Sequence, residues 1–557
     1  MKLEFAELKK IIRGNVSADE ATLETYSTDT SIFKIKPTVV VFPKNAEDIK
    51  QLVKWVIKKK KKGEHVSLTA RSAGTDMSGG PLNDSIIVSF TPHLSGKGAG
   101  QAKYFNHIKK IGPDFAVVEP GVYFRDFEKE LDRRGLLYPP YPASKDICAI
   151  GGMINNNSGG EKTLAYGKTE DYVESLTIVL ADGELHELKP LSASELKKKM
   201  KEKTFEGRLY RKLHALIEKN YDVIQKARPD VSKNSAGYNL WDIWDRNTFN
   251  ILKLIVGAQG TLGLVTEASI RLVKKKKYSR LVVIFAKTLD PVPELVKAVL
   301  PVKPESIESY DDKTLGLALK FLPSFLTMMK GNILKLLWDF LPEFWMVLKG
   351  GIPKMVLLVQ LSSDDAAELK EKIDSVRDAV LKFPVQMRVI KTSEEEEKYW
   401  TIRRQSFALL HSHAKGLEAA PFVDDIIVRP EYLPEVLPKV NAILAKHKRK
   451  LMYTIAGHPG NGNFHIIPLV NLKDPALPAI IRQSMDEIYK LVLSYGGSIT
   501  AEHNDGLIRS PYLKMMYGKK VYGLFEEVKK IFDPLDIFNP GKKVGSSIEY
   551  GFSHLRK

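Results

Sequence analysis

Two segments near the C-terminus carry side chains suited to holding a metal. Gly457-His458-Pro459-Gly460-Asn461-Gly462-Asn463-Phe464-His465 sets two imidazoles seven positions apart, and Ala501-Glu502-His503-Asn504-Asp505-Gly506 adds a third imidazole beside a carboxylate. Neutral imidazole and carboxylate are good ligands for first-row divalent metals, and glycines let a backbone close tightly around an ion. A lone histidine in a glycine turn is more often a hydrogen-bonding loop residue, but two histidines joined to a distant Glu-His pair favour the ligand reading. Far upstream, Ala70-Arg71-Ser72-Ala73-Gly74-Thr75-Asp76-Met77-Ser78-Gly79-Gly80 is a glycine-rich loop of the kind that wraps a pyrophosphate. The two sites together suggest redox chemistry on a small oxygenated substrate.

The elements that must hold these residues are legible from periodicity. Ser17-Ala18-Asp19-Glu20 reads as a helix start, Val39 to Phe42 as a strand between prolines, and Asn45 as the cap of a helix bearing Ile49, Leu52, Val53 and Val56 on one stripe. Val66 to Ala70 runs into the glycine loop and Ser85 to Phe90 leaves it, so the loop joins two strands. The Rossmann and Walker fingerprints both need a helix directly after the glycines, and neither spacing is present. A glycine-rich hairpin without ligand is the competing reading.

Further on, Ile150-Gly151-Gly152-Met153-Ile154-Asn155-Asn156-Asn157-Ser158-Gly159-Gly160, with Ala165-Tyr166-Gly167, predicts backbone conformations closed to bulkier residues and many exposed amides, both suited to a close ligand. Tyr172 to Gly183 reads as a strand ending in an Asp-Gly turn. Gly257-Ala258-Gln259-Gly260-Thr261-Leu262-Gly263 is a third glycine turn before a strand over Leu264 to Leu272. Beyond residue 275 strands such as Leu281 to Phe285 and Met355 to Leu361 alternate with long amphipathic helices, one with Ala366, Leu369, Ile373 and Val376 on a stripe.

Composition bounds the rest. A chain of 557 residues with 43% hydrophobic content is too long for one core and should form two or three domains. Its net charge of +18 gathers in lysine runs at 58–62, 197–199 and 274–277 without interleaved aromatics, which argues against nucleic acid; solubility, an acidic substrate or an anionic membrane face are the readings left. The single cysteine, Cys148, excludes a disulfide framework and a cysteine-ligated cluster within these residues, so electrons must pass to a separate acceptor. The N-terminus has no apolar signal core, so a cytoplasmic location is expected. The greasy stretch 315–349 is interrupted by Lys320, Lys330 and Lys335, so it does not span a bilayer; it packs as core or rests on headgroups at the inner membrane face.

These motifs, with the ending Phe532-Asp533-Pro534-Leu535-Asp536-Ile537-Phe538-Asn539-Pro540-Gly541-Lys542, resemble the FAD-linked oxidases of the vanillyl-alcohol oxidase and PCMH superfamily. The branch resembled is that of glycolate oxidase, D-lactate dehydrogenase and D-2-hydroxyglutarate dehydrogenase. The resemblance implies an α+β fold: a PCMH-type FAD-binding domain of two α+β subdomains over 1–275, an α+β cap over 276–500, and a segment 501–557 returning to the FAD domain. It implies FAD held by Arg71, Ser72, Ala73, Gly74, Thr75, Asp76, Ser78, Gly79 and Gly80. Pro142, Gly151, Gly152, Asn155, Asn156, Ser158, Gly159, Tyr166, Gly167, Gly260, Thr261, Gly263 and Asn539 complete the implied site. Successive N–H groups turned to one side, as Gly74, Gly79 and Gly80 permit, suit a pyrophosphate. Thr75 stands where relatives with covalent flavin often carry histidine, so the FAD is expected to be dissociable.

The same resemblance implies that His458, His465 and Glu502 ligate a divalent metal, expected to be Zn²⁺, with His503 as catalytic base. Arg403, in Trp400-Thr401-Ile402-Arg403, holds the substrate carboxylate, which a guanidinium fork matches well. The expected activity is oxidation of a D-2-hydroxy acid, with the C2 hydride passing to flavin N5. Val423 and Ile467 stand where enzymes of 2-hydroxyglutarate often carry lysine and asparagine, which leaves D-lactate-like and D-2-hydroxyglutarate-like substrates level. Asn504 and Asp505 also depart from the Gly-x that many relatives carry; Glu502 to Gly506 instead resembles the N-terminal half of large fusions with iron–sulfur domains, and the chain ends before such a domain would begin. Expected partners are quinone, an electron-transfer flavoprotein or an iron–sulfur protein, with peripheral membrane contact and a homodimer left open. Two other functions compete: a non-redox transferase like alkyl-dihydroxyacetonephosphate synthase, and a flavin-carrying component of a membrane-associated complex.

Overall fold

Three β-sheets bring the candidate residues together. The computed structural model describes residues 5–91, 104–320, 351–413 and 416–556. Strands β1 (Asn15–Ser17), β2 (Val39–Phe42), β3 (Leu68–Arg71) and β4 (Ile86–Ser89) form the first sheet in the order β1-β2-β4-β3. Helix α1 (Glu20–Tyr26) starts at Asp19, whose side chain accepts from Thr22 N, and α2 (Ala46–Lys60) starts at Asn45, which accepts from Asp48 N. The stripe of α2 buries Ile49, Leu52, Val53 and Val56 against Val39, Val41 and Val88.

β3 and β4 pair in parallel. The glycine loop between them therefore crosses from the end of one strand to the start of its neighbour, and the hairpin reading is corrected. No helix follows the glycines, in line with the missing Rossmann and Walker spacing.

The second sheet holds β5 (Ile108–Ile111), β6 (Phe115–Val118), β7 (Val173–Val179), β8 (Leu185–Leu188) and β9 (Leu264–Arg271) in the order β5-β6-β9-β7-β8. β7 and β8 form the hairpin whose turn carries Gly183 at φ 74°. The window after Ile150 differs from its expectation, because Ile150–Asn156 is a helix, α3. Of its glycines and Gly167, only Gly167 has a left-handed φ, at 82°. Gly151 and Gly160 serve close approach: a Cβ on Gly151 would lie 2.6 Å from Pro120 Cβ, and one on Gly160 2.1 Å from Tyr141 O.

The third sheet has eight strands. They are β10 (Tyr278–Ala286), β11 (Ser306–Asp311), β12 (Met355–Ser363), β13 (Val385–Val389), β14 (Glu418–Ala419), β15 (Ile426–Ile427), β16 (Met452–His458) and β17 (Asn463–Val470), in the order β13-β10-β12-β11-β16-β17-β14 with β15 also on β17. Both faces of its centre are covered, so its strands read as continuous apolar runs. Leu281, Val283 and Phe285 pack with Tyr399, Trp400 and Ile402, while Val282, Ile284 and Ala286 pack with Leu369, Val376 and Val380. The latter helix, α4 (Ala366–Val380), is capped by Asp365 and leaves Ala366 exposed, contrary to the expected stripe. Helix α5 (Ser393–His413) carries Trp400 into this core. The C-terminal segment returns to the first sheet, where Leu68 N donates to Ile537 O and Asn539 N to Leu68 O. Residues 321–349 of the greasy stretch lie outside the described residues, and no helix among the described residues is long and apolar enough to cross a membrane.

Candidate active site

A cavity of about 550 Å³ opens between the three glycine segments and the β16–β17 hairpin. Its wall includes Arg71 to Asp76, Gly80, Pro142, Gly151, Gly152, Asn155, Asn156, Ser158, Gly159 and Gly260 on one side, and Arg403, His458, His465, Glu502 and His503 on the other. Gly74 and Gly260 sit at φ 71° and 70°, where a side chain would be strained. Buried Ser72 Oγ and Asp76 Oδ1 make no hydrogen bond, as expected of walls shaped for a polar occupant. Size, glycine lining and unpartnered polar atoms fit a dinucleotide such as FAD.

Seven residues expected to touch the cofactor lie outside this wall: Ser78, Gly79, Tyr166, Gly167, Thr261, Gly263 and Asn539. Several hold the wall from behind. Asn539 Nδ2 donates to Gly80 O and Gln259 O at 2.9 and 2.7 Å, while its Oδ1 accepts from Thr69 Oγ1, so one side chain ties two loops. The loop amides also differ from the expected nest, because Gly80 N donates to Asp76 Oδ2 at 2.8 Å, as do Ser78 N and Oγ. Arg71 gives its guanidinium to Tyr26 O and Thr28 O.

The β16–β17 register sets Ala456 opposite His465 and His458 opposite Asn463. Paired residues of a hairpin share a face, so both imidazoles point the same way. Their Nε2 atoms lie 3.1 Å apart, and Glu502 Oε1 is 2.8 Å from His458 Nε2 and 3.3 Å from His465 Nε2. His503 stacks on His465 with ring centroids 4.7 Å apart. The four side chains thus converge from two separated segments.

What orients them is a set of buried carboxylates that sequence reasoning missed. His458 Nδ1 donates to Glu308 Oε1 at 2.5 Å, and Asp424 accepts from both His465 Nδ1, at 3.2 Å, and His503 Nδ1, at 2.5 Å. A carboxylate can only accept, so all three Nδ1 atoms carry the hydrogen, and in the neutral rings all three Nε2 lone pairs remain available. Glu502 Oε2 is buried without a hydrogen bond, with Lys233 Nζ 3.7 Å away. A cluster of lone pairs and carboxylate charge with an orphaned oxygen fits a divalent cation.

Asp425 also offers an atom within 4.8 Å of ligand atoms on His465, Glu502 and His503. Its oxygens are taken, however: Oδ2 accepts from Thr500 Oγ1, Glu502 N and His503 N, and Oδ1 from Asn463 Nδ2. We therefore read Asp425 as the clamp on the 500–503 backbone and His458 as the better ligand. Lys168, wholly buried, grips the same backbone through Ala501 O at 2.7 Å. Asn504, a departure noted in the sequence, ties this turn to Asn156 O and Gly257 O.

Electrostatics follows this geometry. Burial opposes charge on His465, but Asp424 and Glu502 outweigh it and push its pKa up to about 10. His503 is raised likewise by Asp424 and Asp425 against burial. Asp424 and Glu502 are driven the other way: burial favours their neutral forms, yet the facing imidazoles, and Lys233 for Glu502, hold both well below the usual carboxylate range.

Arg403 comes from α5 one turn after buried Trp400, with NH2 3.2 Å from Glu308 Oε2. Its neighbour Arg404 lines the cavity but is neutralised by Glu161, with NH2–Oε1 2.8 Å and Nε–Oε2 3.2 Å. Ile467 lines the cavity, whereas Val423 is buried away from it. The pair Asp424-Asp425 was visible in the sequence as acidic residues in an apolar run. Glu308 lies on a strand buried along its whole length, but its neighbours Ser306, Ser309 and Asp311 gave no such signal.

Residues 37–189 match the family described as an FAD binding domain, and residues 275–543 that described as FAD linked oxidases, C-terminal domain. The chain is 29% identical over 539 residues to D-2-hydroxyglutarate dehydrogenase of Pseudomonas putida, covering 95% of this chain and 50% of that protein. It is 27% identical over 525 residues to glycolate oxidase subunit GlcD of Bacillus subtilis, covering 93% and 91%. The chain thus spans about half the length of the first of these relatives. Among solved structures it is similar to 4-ethylphenol oxidase from Gulosibacter chungangensis in its isoeugenol complex, with TM-score 0.67, 17% identity, and coverage of 97% and 96%. The fold is thus the α+β architecture also found in 4-ethylphenol oxidase, and residues 37–189 carry the match to the FAD binding domain family.

Proposed function

We propose that this chain, which belongs to the FAD-linked oxidases, oxidises a D-2-hydroxy acid to the 2-oxo acid with the help of a divalent cation. One observation carries the reading: His458 and His465, each with Nδ1 on a buried carboxylate, bring Nε2 to 2.8 and 3.3 Å from Glu502 Oε1, and His503, its Nδ1 on Asp424, stacks beside them in the cavity wall. FAD bound there would take the hydride from C2, and a cation, for which Zn²⁺ suits the donor set, would acidify the 2-hydroxyl.

His458, His465 and Glu502 are the residues that would hold the cation. His503 Nε2 accepts the hydroxyl proton, and Asp424 stabilises the imidazolium that results. Arg403, in the cavity wall, holds the substrate carboxylate. Dissociable FAD is consistent with Thr75 in the wall. Names of the relatives support the hydroxy-acid class, and electrons then leave to a separate acceptor such as a quinone, an electron-transfer flavoprotein or an iron–sulfur protein.

The test is anaerobic mixing of the FAD-loaded protein with D- and L-lactate, D- and L-2-hydroxyglutarate and glycolate, following flavin absorbance, with metal analysis of the same sample. Bleaching by a D-acid together with a bound divalent metal is expected. An oxidised flavin with every acid would refute the dehydrogenase reading and favour a non-redox transferase.

A further inference from the structure

Glu308 touches two groups with different expected tasks. The β11–β16 register places Ser309 opposite Gly457, which brings Glu308 beside His458. Its carboxylate is 2% exposed, and each oxygen has its own cationic or donor partner: Oε1 meets His458 Nδ1 at 2.5 Å, and Oε2 meets Arg403 NH2 at 3.2 Å. His458 comes from a strand and Arg403 from α5, so the two have no shared backbone to fix their relation.

We propose that Glu308 is a positioning residue that sets the cation site and the carboxylate anchor in one geometry. The inference rests on the cation reading above. A buried carboxylate that gives one oxygen to each partner fixes the His458 tautomer, so Nε2 keeps its lone pair, and it fixes the plane of the Arg403 fork. The distance between cation and guanidinium is what a bound 2-hydroxy carboxylate must span, and here one side chain determines it. A neutral amide cannot serve both partners: turned to accept from His458, it faces Arg403 with N–H against N–H, and turned the other way it forces Nδ1 of His458 to become the acceptor.

The experiment measures Zn²⁺ affinity of the FAD-loaded protein by competition with a chromophoric chelator, for the wild type, Glu308→Gln, Arg403→Met and the double variant. Glu308→Gln should weaken Zn²⁺ about 10- to 100-fold, the range for removing a carboxylate behind a ligating histidine. Arg403→Met, which removes the partner of Glu308 Oε2, should shift Zn²⁺ affinity at least about threefold, and that shift should vanish in the E308Q background, because coupled residues are non-additive. Zn²⁺ affinity of E308Q within about threefold of wild type, or strictly additive effects, overturns the proposal. If E308Q fails to retain FAD, an unchanged affinity in Arg403→Met overturns it alone. A wild type that binds no Zn²⁺ refutes the cation reading as well, whereas tight wild-type binding unchanged by E308Q refutes only the role of Glu308.

Discussion

Replacing Asp424 by asparagine isolates the contribution of imidazole orientation. Asp424 is 0% exposed and accepts from Nδ1 of both His465 and His503, so one carboxylate sets two tautomers. The asparagine has one oxygen and one NH₂ in nearly the same space. One imidazole keeps an acceptor; the other meets a donor and must turn its own Nδ1 into an acceptor, which moves its hydrogen to Nε2. If that ring is His503, the base has lost its lone pair; if it is His465, the cation loses a ligand. Each lost hydrogen bond to a charged group is worth about 1.5–3 kcal/mol. The functional loss is larger, because the wrong tautomer is inactive: the same exchange beside a catalytic imidazole in a serine protease lowers turnover roughly 10⁴-fold. We expect the rate of anaerobic flavin reduction by the preferred D-acid to fall at least about 10³-fold, and Zn²⁺ affinity to fall about 10- to 100-fold, with FAD retained. Stopped-flow absorbance of the flavin reads the first and chelator competition the second. A reduction rate within threefold of wild type would show that the Asp424 contacts do not govern the reacting histidines, and the tautomer argument would fail.

Other predictions probe different parts of the structure. Treating the protein with dipicolinate should leave flavin bound while slowing flavin reduction by about 10² or more, reversed by added Zn²⁺; unchanged reduction after metal analysis shows none remaining refutes the assignment of His458, His465 and Glu502. A Cβ on Gly152 would meet only Ser72 Cβ, at 3.4 Å, beside the cavity, so Gly152→Leu should fold with an intact melting transition but purify with little flavin; a normal flavin-to-protein absorbance ratio would show that the cofactor does not lie there. His186 is raised to about 9 because hydrogen bonds to Asp182 and Glu206 outweigh burial. A raised pKa means its stabilising charge is fully present below the ordinary value of 6.5 and lost as pH climbs through about 9. The gap in melting temperature between wild type and His186→Gln should therefore narrow from pH 6 to pH 9.5, and a constant gap would contradict the ion pairing.

Much of the fold could be read from the chain because its local signals agree with its tertiary contacts. Asp19 and Asn45 cap the helices they were expected to cap, and the burial of Ile49, Leu52, Val53 and Val56 follows from a stripe of helical period. The glycine loop shows the limit. Strands on either side of it were legible, but parallel pairing is decided by β2 and β4 meeting across the chain, which no local pattern encodes. At Ile150 the glycines and asparagines suggested irregular backbone, and packing made a helix instead; Gly151 is there because Pro120 presses against it.

The site divides along the same line. Donor atoms announce themselves in sequence through their grouping, two histidines seven apart and a distant Glu-His pair, and His458, His465, Glu502 and His503 do meet. Orientation does not announce itself. Glu308, Asp424 and Asp425 lie 150, 41 and 77 positions from the residues they hold, and nothing local ties them to those partners. Burying such a carboxylate is unfavourable unless it is paired, so its presence at 0–2% exposure requires partners that carry hydrogen or charge. That requirement runs both ways: the imidazoles supply hydrogens to Glu308 and Asp424, and those carboxylates fix Nδ1 of each ring as the donor, which turns Nε2 of His458 and His465 toward Glu502. An acidic residue in a strand buried along its whole length, such as Glu308 in Ser306–Asp311, is therefore a marker of the orienting shell.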